Sequence, residues 1–371
     1  MKFSISSGDF LKYLGISGSV IPTRSTLPIL ENFYFVLSGN KLSITATDLE
    51  VSITVSLTVK GETDGKAVIP AKRLLDTIRA LPNTTVNIMH DSGSNRLELK
   101  ADSGEYKLTG ESVENYPTFP SFKAEGKINI ENGIFRRLIT KTEFAASKDE
   151  LRPAMTGVLF QIRKNELKSV STDGHRLVCI ANKSFSTSNP DQDIIIPVKT
   201  LSLILKCLED NESTISFGKT NLLFQSGNVV IQSKLIEEKY PNYESVIPVD
   251  NEIKLVVDKN LLLSSVRRTA LYASSVTHLV RFSLSKETLI VSAEDIDFGS
   301  EAKEKIPCSF DHDSFVIGFN SSYMIDLLTH IDTEEVVFLL SSPSRAVIVK
   351  PHSQQSGEDL LMLLMPIRLN V

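Results

Sequence analysis

The 371-residue chain contains no tryptophan and only three cysteines. Cys179, Cys207 and Cys308 are odd in number and far apart, which excludes a disulfide framework and gives no zinc-ligand spacing. No apolar run approaches the ~18 residues that a membrane-spanning helix needs. The opening "MKFSISSGDF" has no apolar signal core, so cytoplasmic residence is expected. A basic surplus is also missing. The formal net charge is −5, which taken alone argues against a simple polycationic nucleic-acid binder but leaves open how the charge is distributed. Low-complexity tracts and long linkers are absent.

Catalytic and metal signatures are equally scarce. "GETDGKA" (61–67) fails as a phosphate loop: three residues separate Gly61 from Gly65, and Ala67 replaces the hydroxyl that would hold magnesium. A polar hairpin turn is expected there. "CSFDHD" places Cys308, Asp311, His312 and Asp313 together but has no second ligand cluster, so a solvated loop and no metal are expected. His90, His278, His330 and His352 are scattered. No cofactor is expected.

What the chain does contain is repetition. "GNKLSITATDLEVSITV" (39–55), "KNELKSVSTDGHRLVCI" (164–180) and "SKETLIVSAEDIDFGSE" (285–301) share one pattern: an alternating strand, a polar turn with an acid, and a second strand. The acid falls at Asp48, Asp173 and Asp295, with separations of 125 and 122 residues, so three periods fill the chain. "FSISSGDFLKYL" (3–14), "INIENGIFRRLI" (128–139) and "LVVDKNLLLSSV" (255–266) each pass from strand alternation to helical spacing. Asp9 or Asn132 would suit the helix start. A second helix recurs in "IPAKRLLDTIRALP" (69–82), "IPVKTLSLILKCLED" (196–210) and "FNSSYMIDLLTHID" (319–332), with Pro70 and Pro197 suited to a first helical turn. Each copy closes with a hairpin and a proline phrase, "NYPTFP" (115–120), "KYPNYE" (239–244) or "LMPIRL" (364–369). The pattern predicts an α+β chain of three repeated domains, 1–123, 124–250 and 251–371, each with two helices and about eight strands.

The phrases "TRSTLPIL" (23–30), "TATDLE" (45–50), "STDGHRL" (171–177), "GFNSSYMIDLL" (318–328) and "LMPIRL" (364–369) resemble the bacterial sliding clamps, the beta-subunit family of DNA polymerase III. The resemblance runs in order from residue 1 to 369 and includes the threefold repeat. It implies a head-to-tail homodimeric ring of clamp-type domains, helices inside and sheets outside, that encircles duplex DNA without sequence preference. It implies a non-catalytic role, tethering the DNA polymerase III catalytic subunit, the clamp loader and other proteins that carry a clamp-binding motif. No membrane partner is implied.

A sliding ring should touch phosphates with few cations, because phosphate contacts carry no sequence information and each one strengthens binding. The six helical segments (7–20, 71–81, 131–147, 197–209, 258–273, 320–331) carry a formal +5, which leaves −10 for the rest of a chain whose total is −5. The candidate DNA-facing cations are Arg24, Lys72, Arg73, Arg79, Arg136, Arg137, Lys141, Lys199, Lys206, Arg267 and Arg268. At the dimer seam the resemblance sets Tyr106 and Leu108 against Leu271 and Tyr272 of the other protomer. It offers Lys72 and Arg73 a second station there, opposite acids such as Glu301 and Glu304.

The resemblance also implies a peptide-binding groove. Carried over by position, it comprises Arg152, Met155, Thr172, Gly174, His175, Arg176, Leu177, Pro241, Val246, Leu363, Leu364, Met365, Pro366, Ile367 and Arg368, flanked by Asn320 and Tyr323. Met and branched aliphatics adapt to varied partners, and Arg or His at the rim can orient a peptide. The chain departs from the family pattern in four places. Pro153 and Ala154 replace frequent aromatics, Ser245 replaces a frequent base, and Asn370 and Val371 extend past the usual end. Two other readings of the residues stay open. One is a repeat-built hydrolase using Asp173 and His175; the other is a monomeric adhesion module. Against the hydrolase, His175 has no counterpart in the other copies, where Glu50 and Asp297 stand instead. The recurring acid reads more simply as a turn former that bonds its own backbone.

Overall fold

The computed structural model describes residues 1–102, 104–117, 123–208 and 212–369. The end of the "NYPTFP" phrase, Glu209, and the terminal Asn370 and Val371 lie outside the described residues.

The first copy of the pattern runs β1 (Lys2–Ser6), α1 (Ser7–Gly18), β2 (Asn32–Ser38), β3 (Lys41–Thr47), β4 (Val51–Thr58), β5 (Lys60–Thr63), β6 (Gly65–Pro70), α2 (Ala71–Ala80), β7 (Thr85–Asp91), β8 (Arg96–Ala101) and β9 (Gly104–Thr109). The second runs β10 (Gly126–Glu131), α3 (Asn132–Thr142), β11 (Gly157–Arg163), β12 (Glu166–Thr172), β13 (Arg176–Asn182), β14 (Gln192–Pro197), α4 (Val198–Cys207), β15 (Glu212–Phe217), β16 (Asn221–Ser226) and β17 (Val229–Lys234). The third runs β18 (Ile253–Asp258), α5 (Lys259–Ala270), β19 (Leu279–Ser285), β20 (Thr288–Asp295), β21 (Ser300–Pro307), β22 (Ser309–Phe310), β23 (Phe315–Asn320), α6 (Ser321–Thr329), β24 (Glu335–Leu340), β25 (Val347–Pro351) and β26 (Glu358–Leu364).

The change from strand to helix follows from the apolar spacing. In the first copy Phe3 and Ile5 are buried on alternate positions, and Phe10 and Leu14 then continue at helical spacing. Ser6 caps α1 by accepting the Asp9 N–H at 3.1 Å, and its hydroxyl donates to the Asp9 carboxylate at 2.8 Å. Asp258 caps α5, and Asn320 caps α6 through the N–H groups of Ser322 and Tyr323. The phenylalanines meet edge-on, Phe10 against Phe3 at 6.1 Å and against Phe35 at 6.0 Å, contacts worth about 0.5–1.5 kcal/mol each beyond simple burial.

Two expectations need correction. Pro70 and Pro197 precede their helices instead of opening them, because each is still held by strand pairing, Pro70 opposite Asn32 and Pro197 opposite Gly157. The 61–67 stretch is not a hairpin: β5 pairs with β1 and β6 with β2, in different sheets.

By compactness the chain divides into two units, Met1–Phe135 with Lys199–Leu235, and Arg136–Val198 with Ile236–Val371. The division cuts the second copy because sheets cross the copy boundaries. In the first unit a five-stranded sheet has the order β5-β1-β7-β8-β9, and an eight-stranded sheet has the order β10-β15-β16-β17-β4-β3-β2-β6. The latter joins the second copy to the first through β17 on β4. In the second unit the nine-stranded sheet β14-β11-β12-β13-β26-β25-β24-β18-β22 joins the second copy to the third through β13 on β26. A four-stranded sheet, β21-β20-β19-β23, completes that unit.

Candidate functional site

The turn quoted as "STDGHRL" joins β12 to β13. Asp173 Oδ1 accepts the N–H groups of His175 (2.9 Å) and Arg176 (3.0 Å), while the Thr172 hydroxyl donates to the Arg176 carbonyl and accepts from Gly174. Gly174 has φ +89, and a Cβ there would lie 3.2 Å from Arg152 Nη1. The backbone favours glycine there, and a side chain would also crowd the Arg152 guanidinium. Asp173 and His175 are not arranged as nucleophile and base, because the carboxylate is spent on the turn and on Arg176.

Beside this turn the second unit builds an apolar floor from Leu159, Val170, Leu177, Ile195, Tyr240, Tyr243 and Leu363, with Ile236, Ile247 and Leu361 at its margin. Its position follows from the register that sets Leu177 opposite Leu363. Beyond Leu364 the chain stays attached, since the Met365 N–H donates to the His175 carbonyl at 2.8 Å and the Ile367 N–H to the Gly318 carbonyl at 2.8 Å. Met365 is 40% exposed and Val246 53% exposed, whereas Leu177 and Leu363 are buried. His175 and Arg152 stand exposed near the turn, Arg152 paired with Asp149 at 2.9 Å. The Asp149 carboxyl is held below its ordinary range by the Leu151 N–H and by Arg152. Pro241, Pro366 and Arg368 are on the same unit, Pro241 and Arg368 exposed and Pro366 half-buried. Burial pushes the Cys179 thiol up to about 12, so this neighbour of the floor is an inert thiol. The tyrosines of the floor were missed in the sequence, although "KYPNYE" contains both.

Arg176 departs from expectation. It is not an available rim cation, being only 8% exposed. Its guanidinium donates to Asp173 (3.1 Å), Asp326 (2.6 Å) and the Phe144 carbonyl (2.8 Å), and lies over the Tyr323 ring at 4.7 Å and the Phe144 ring at 5.4 Å. His330 stacks on Phe144 at 3.8 Å. Burial holds the His330 imidazole below its ordinary pKa. Arg176 is therefore a clasp behind the turn, binding it to α6. Tyr323, 5.9 Å from the His175 ring, is part of the same assembly, and Asn320 serves as the α6 cap.

Of the candidate cations, Arg24 lies in the loop after α1 and the rest lie on the helices. All but Arg137 and Lys141 are exposed, and Arg79 pairs with Asp76 at 3.0 Å. Four more form ion pairs within the chain. Arg137 binds Glu358 (2.6 Å) and Asp332 (2.7 Å). Lys141, 6% exposed, donates to Asp332 and to the His330 carbonyl. Burial raises the Asp332 carboxyl, but Lys141 and Arg137 outweigh it and hold the group low. Arg137 and Lys141 are thus paired with acids of the chain itself. Lys199 pairs with Asp48, and Arg268 with Glu304 at 2.7 and 2.6 Å. Glu304 is thereby pre-empted as a free seam acid, and Arg268 holds its carboxyl low.

Two sheet edges complete the inventory. β9, with Tyr106 and Leu108, ends the five-stranded sheet; β21, with Glu301 and Glu304, ends the four-stranded one. Leu271 and Tyr272, just past α5, are 82% and 45% exposed. In the first unit a recess of about 650 Å³ is lined by Ile21, Lys72, Arg73, Leu75 and Leu108, among others. Among the described residues no cluster of three or more His, Cys, Asp or Glu could hold a metal, and no helix is long and apolar enough to cross a membrane.

Comparison with known proteins covers the chain in series. Family models of the DNA polymerase III beta subunit match residues 1–120 (N-terminal domain), 129–242 (central domain) and 244–368 (C-terminal domain). The beta sliding clamp of Pseudomonas putida is 30% identical over 373 residues, covering 100% of both chains. That of Staphylococcus aureus is 30% identical over 379 residues, covering 99% of both. Among solved structures, a Pseudomonas aeruginosa DNA polymerase sliding clamp with ligand superposes with a TM-score of 0.94 at 29% identity over 100% of both chains. A Bartonella birtlesii sliding clamp bound to griselimycin gives 0.93 at 26% identity, also over 100% of both.

Proposed function

The chain belongs to the DNA polymerase III beta-subunit family, the beta sliding clamps, and from that premise we propose that two copies close head to tail into a ring around duplex DNA. It is a non-catalytic processivity factor of DNA replication. The observation that carries ring closure is a missing third junction. Inside the chain the first and second copies share one sheet through β4 and β17, and the second and third share another through β13 and β26. The strands that correspond at the two ends, β21 and β9, are left as open edges. Pairing them between protomers would create one more nine-stranded sheet, ordered like the one already present, and would cover two edges that invite aggregation. Exposed Leu271 and Tyr272 of one protomer would then meet Tyr106, Leu108 and the recess beside α2 of the other.

The domains are 1–123, 124–250 and 251–371. Arg24, Lys72, Arg73, Arg79, Arg136, Lys206 and Arg267 supply the phosphate contacts, few and without base reading. The groove over Leu177, Leu363 and Met365 takes a short linear peptide from the polymerase catalytic subunit, the clamp loader or another partner. The cytoplasm is the place of action. Solution mass tests closure: twice the 41.0 kDa chain mass is expected, and a monomer at micromolar concentration would contradict it. Met365→Ala with Leu177→Ala tests the groove; peptide affinity should fall at least about ten-fold while the dimer persists, and unchanged affinity would refute the placement.

A further inference from the structure

Head-to-tail closure requires β9 of one protomer to lie beside β21 of its partner, and the chain carries its own template for their alignment. This inference rests on the ring reading above. In the first copy one rung crosses the sheet through Phe3, Ile88, Leu99 and Tyr106. The second copy has Ile128, Ile215, Phe224 and Ile231, and the third Leu255, Phe338, Val349 and Met362. The three rungs are equivalent in sequence: the step from Phe3 to buried Phe10 equals those from Ile128 to Phe135 and from Leu255 to Leu262. At the two built junctions each rung continues into the next copy, Ile231 opposite Ile53 and Met362 opposite Val178.

Those receiving residues are also equivalent. Ile53 pairs with Ala46, two positions before Asp48; Val178 pairs with Ser171, two before Asp173. Two positions before Asp295 stands Ala293, and its partner is Ala302. We infer that the seam sets Tyr106 opposite Ala302 of the partner subunit, and therefore Lys107 opposite the partner's Glu301 and Glu105 opposite the partner's Lys303.

Two features of the strands support this alignment. Glu105, Lys107, Glu301 and Lys303 are all exposed, while of the alternate positions Leu108, Ala302 and Glu304 are half-buried and Tyr106 is 37% exposed, so the charged faces meet each other. A slip of one residue would mismatch the faces. A slip of two would set Glu301 against Glu105, or Lys303 against Lys107. Of these registers, only the inferred one pairs opposite charges on both rungs, and like charges directly opposite destabilise a sheet. The sign pattern acts as a specificity code by which this chain selects a second copy of itself. Lys107 already touches Glu98 (3.2 Å) and Glu105 (3.6 Å) of its own sheet, so the partner's Glu301 would extend an existing ladder.

The test uses the full chain and sedimentation equilibrium. E301K with K303E, or E105K with K107E, should raise the dimer dissociation constant at least about ten-fold, more at low salt than at high. The four changes together should restore it to within about three-fold, since the signs then match again. Oxidative cross-linking with diamide reads the register without altering charge. Ala302→Cys with Tyr106→Cys should give a cross-linked dimer efficiently, and Ala302→Cys with Leu108→Cys should not. A wild-type chain that is monomeric would overturn the ring reading itself. A wild-type dimer indifferent to the reversals, not rescued by the fourfold exchange, or cross-linked better through Leu108, would overturn the register alone.

Discussion

The turns at Asp48 and Asp173 share one backbone and differ in what stands around it. In both, a threonine hydroxyl donates to a carbonyl four residues on, and an aspartate accepts the second and third following N–H groups. In both, the residue after the aspartate has positive φ, +77 at Leu49 and +89 at Gly174. Around Asp48 there is one exposed partner, Lys199, whose side chain is 54% exposed. Around Asp173 there is a buried arginine held by three groups and two rings. The repeated device fixes where a strand pair turns; recognition is added by what packs behind it. An acid beside a histidine at such a turn is thus a scaffold before it is chemistry.

Removing the charge partner of each turn separates the two most strongly. Arg176→Ala should cost about 3 kcal/mol, because a largely buried ion pair and its hydrogen bonds are broken, while Lys199→Ala, in a solvent-screened pair, should cost about 1 kcal/mol or less. Denaturant titration of both variants reads this, and equal losses would erase the distinction. The left-handed position comes next. Gly174→Ala should destabilise by about 1–2 kcal/mol and weaken peptide binding by about ten-fold, through backbone strain and crowding of Arg152. Leu49→Gly should have the opposite sign, a gain of about 0.5 kcal/mol, since Leu49 is strained and partly exposed. The smallest effect is acid sensitivity near the clasp. Burial lowers the His330 pKa, so the unfolded chain binds the extra proton. Stability is full above the ordinary value of about 6.5 and declines as pH falls through the lowered one. His330→Gln should flatten that decline, and an unchanged slope between pH 7 and 5 would show that another group carries it.

Much of the fold was legible because its signals are local. Strand alternation passing into helical spacing at Phe3–Phe10, and an acid two residues before a turn's end, need no distant partner. The junctions were not legible. The pairings of β17 with β4 and of β13 with β26 join strands from different copies, and an edge strand carries no mark of which edge it will meet. The pairing of the helix cations is hidden for the same reason. A formal charge count cannot show that Lys141 finds Asp332 and His330 about 190 residues away along the chain. Arg176 was assigned to the groove rim because nothing near it in sequence shows Asp326 or Phe144 closing over it.

Topological retention on DNA tests the ring most directly. Labelled protein loaded onto nicked circular duplex should stay bound through gel filtration at moderate salt, and should be lost when one restriction cut makes the DNA linear. Equal retention on circular and linear DNA, or none on either after loading, would contradict closure around the duplex.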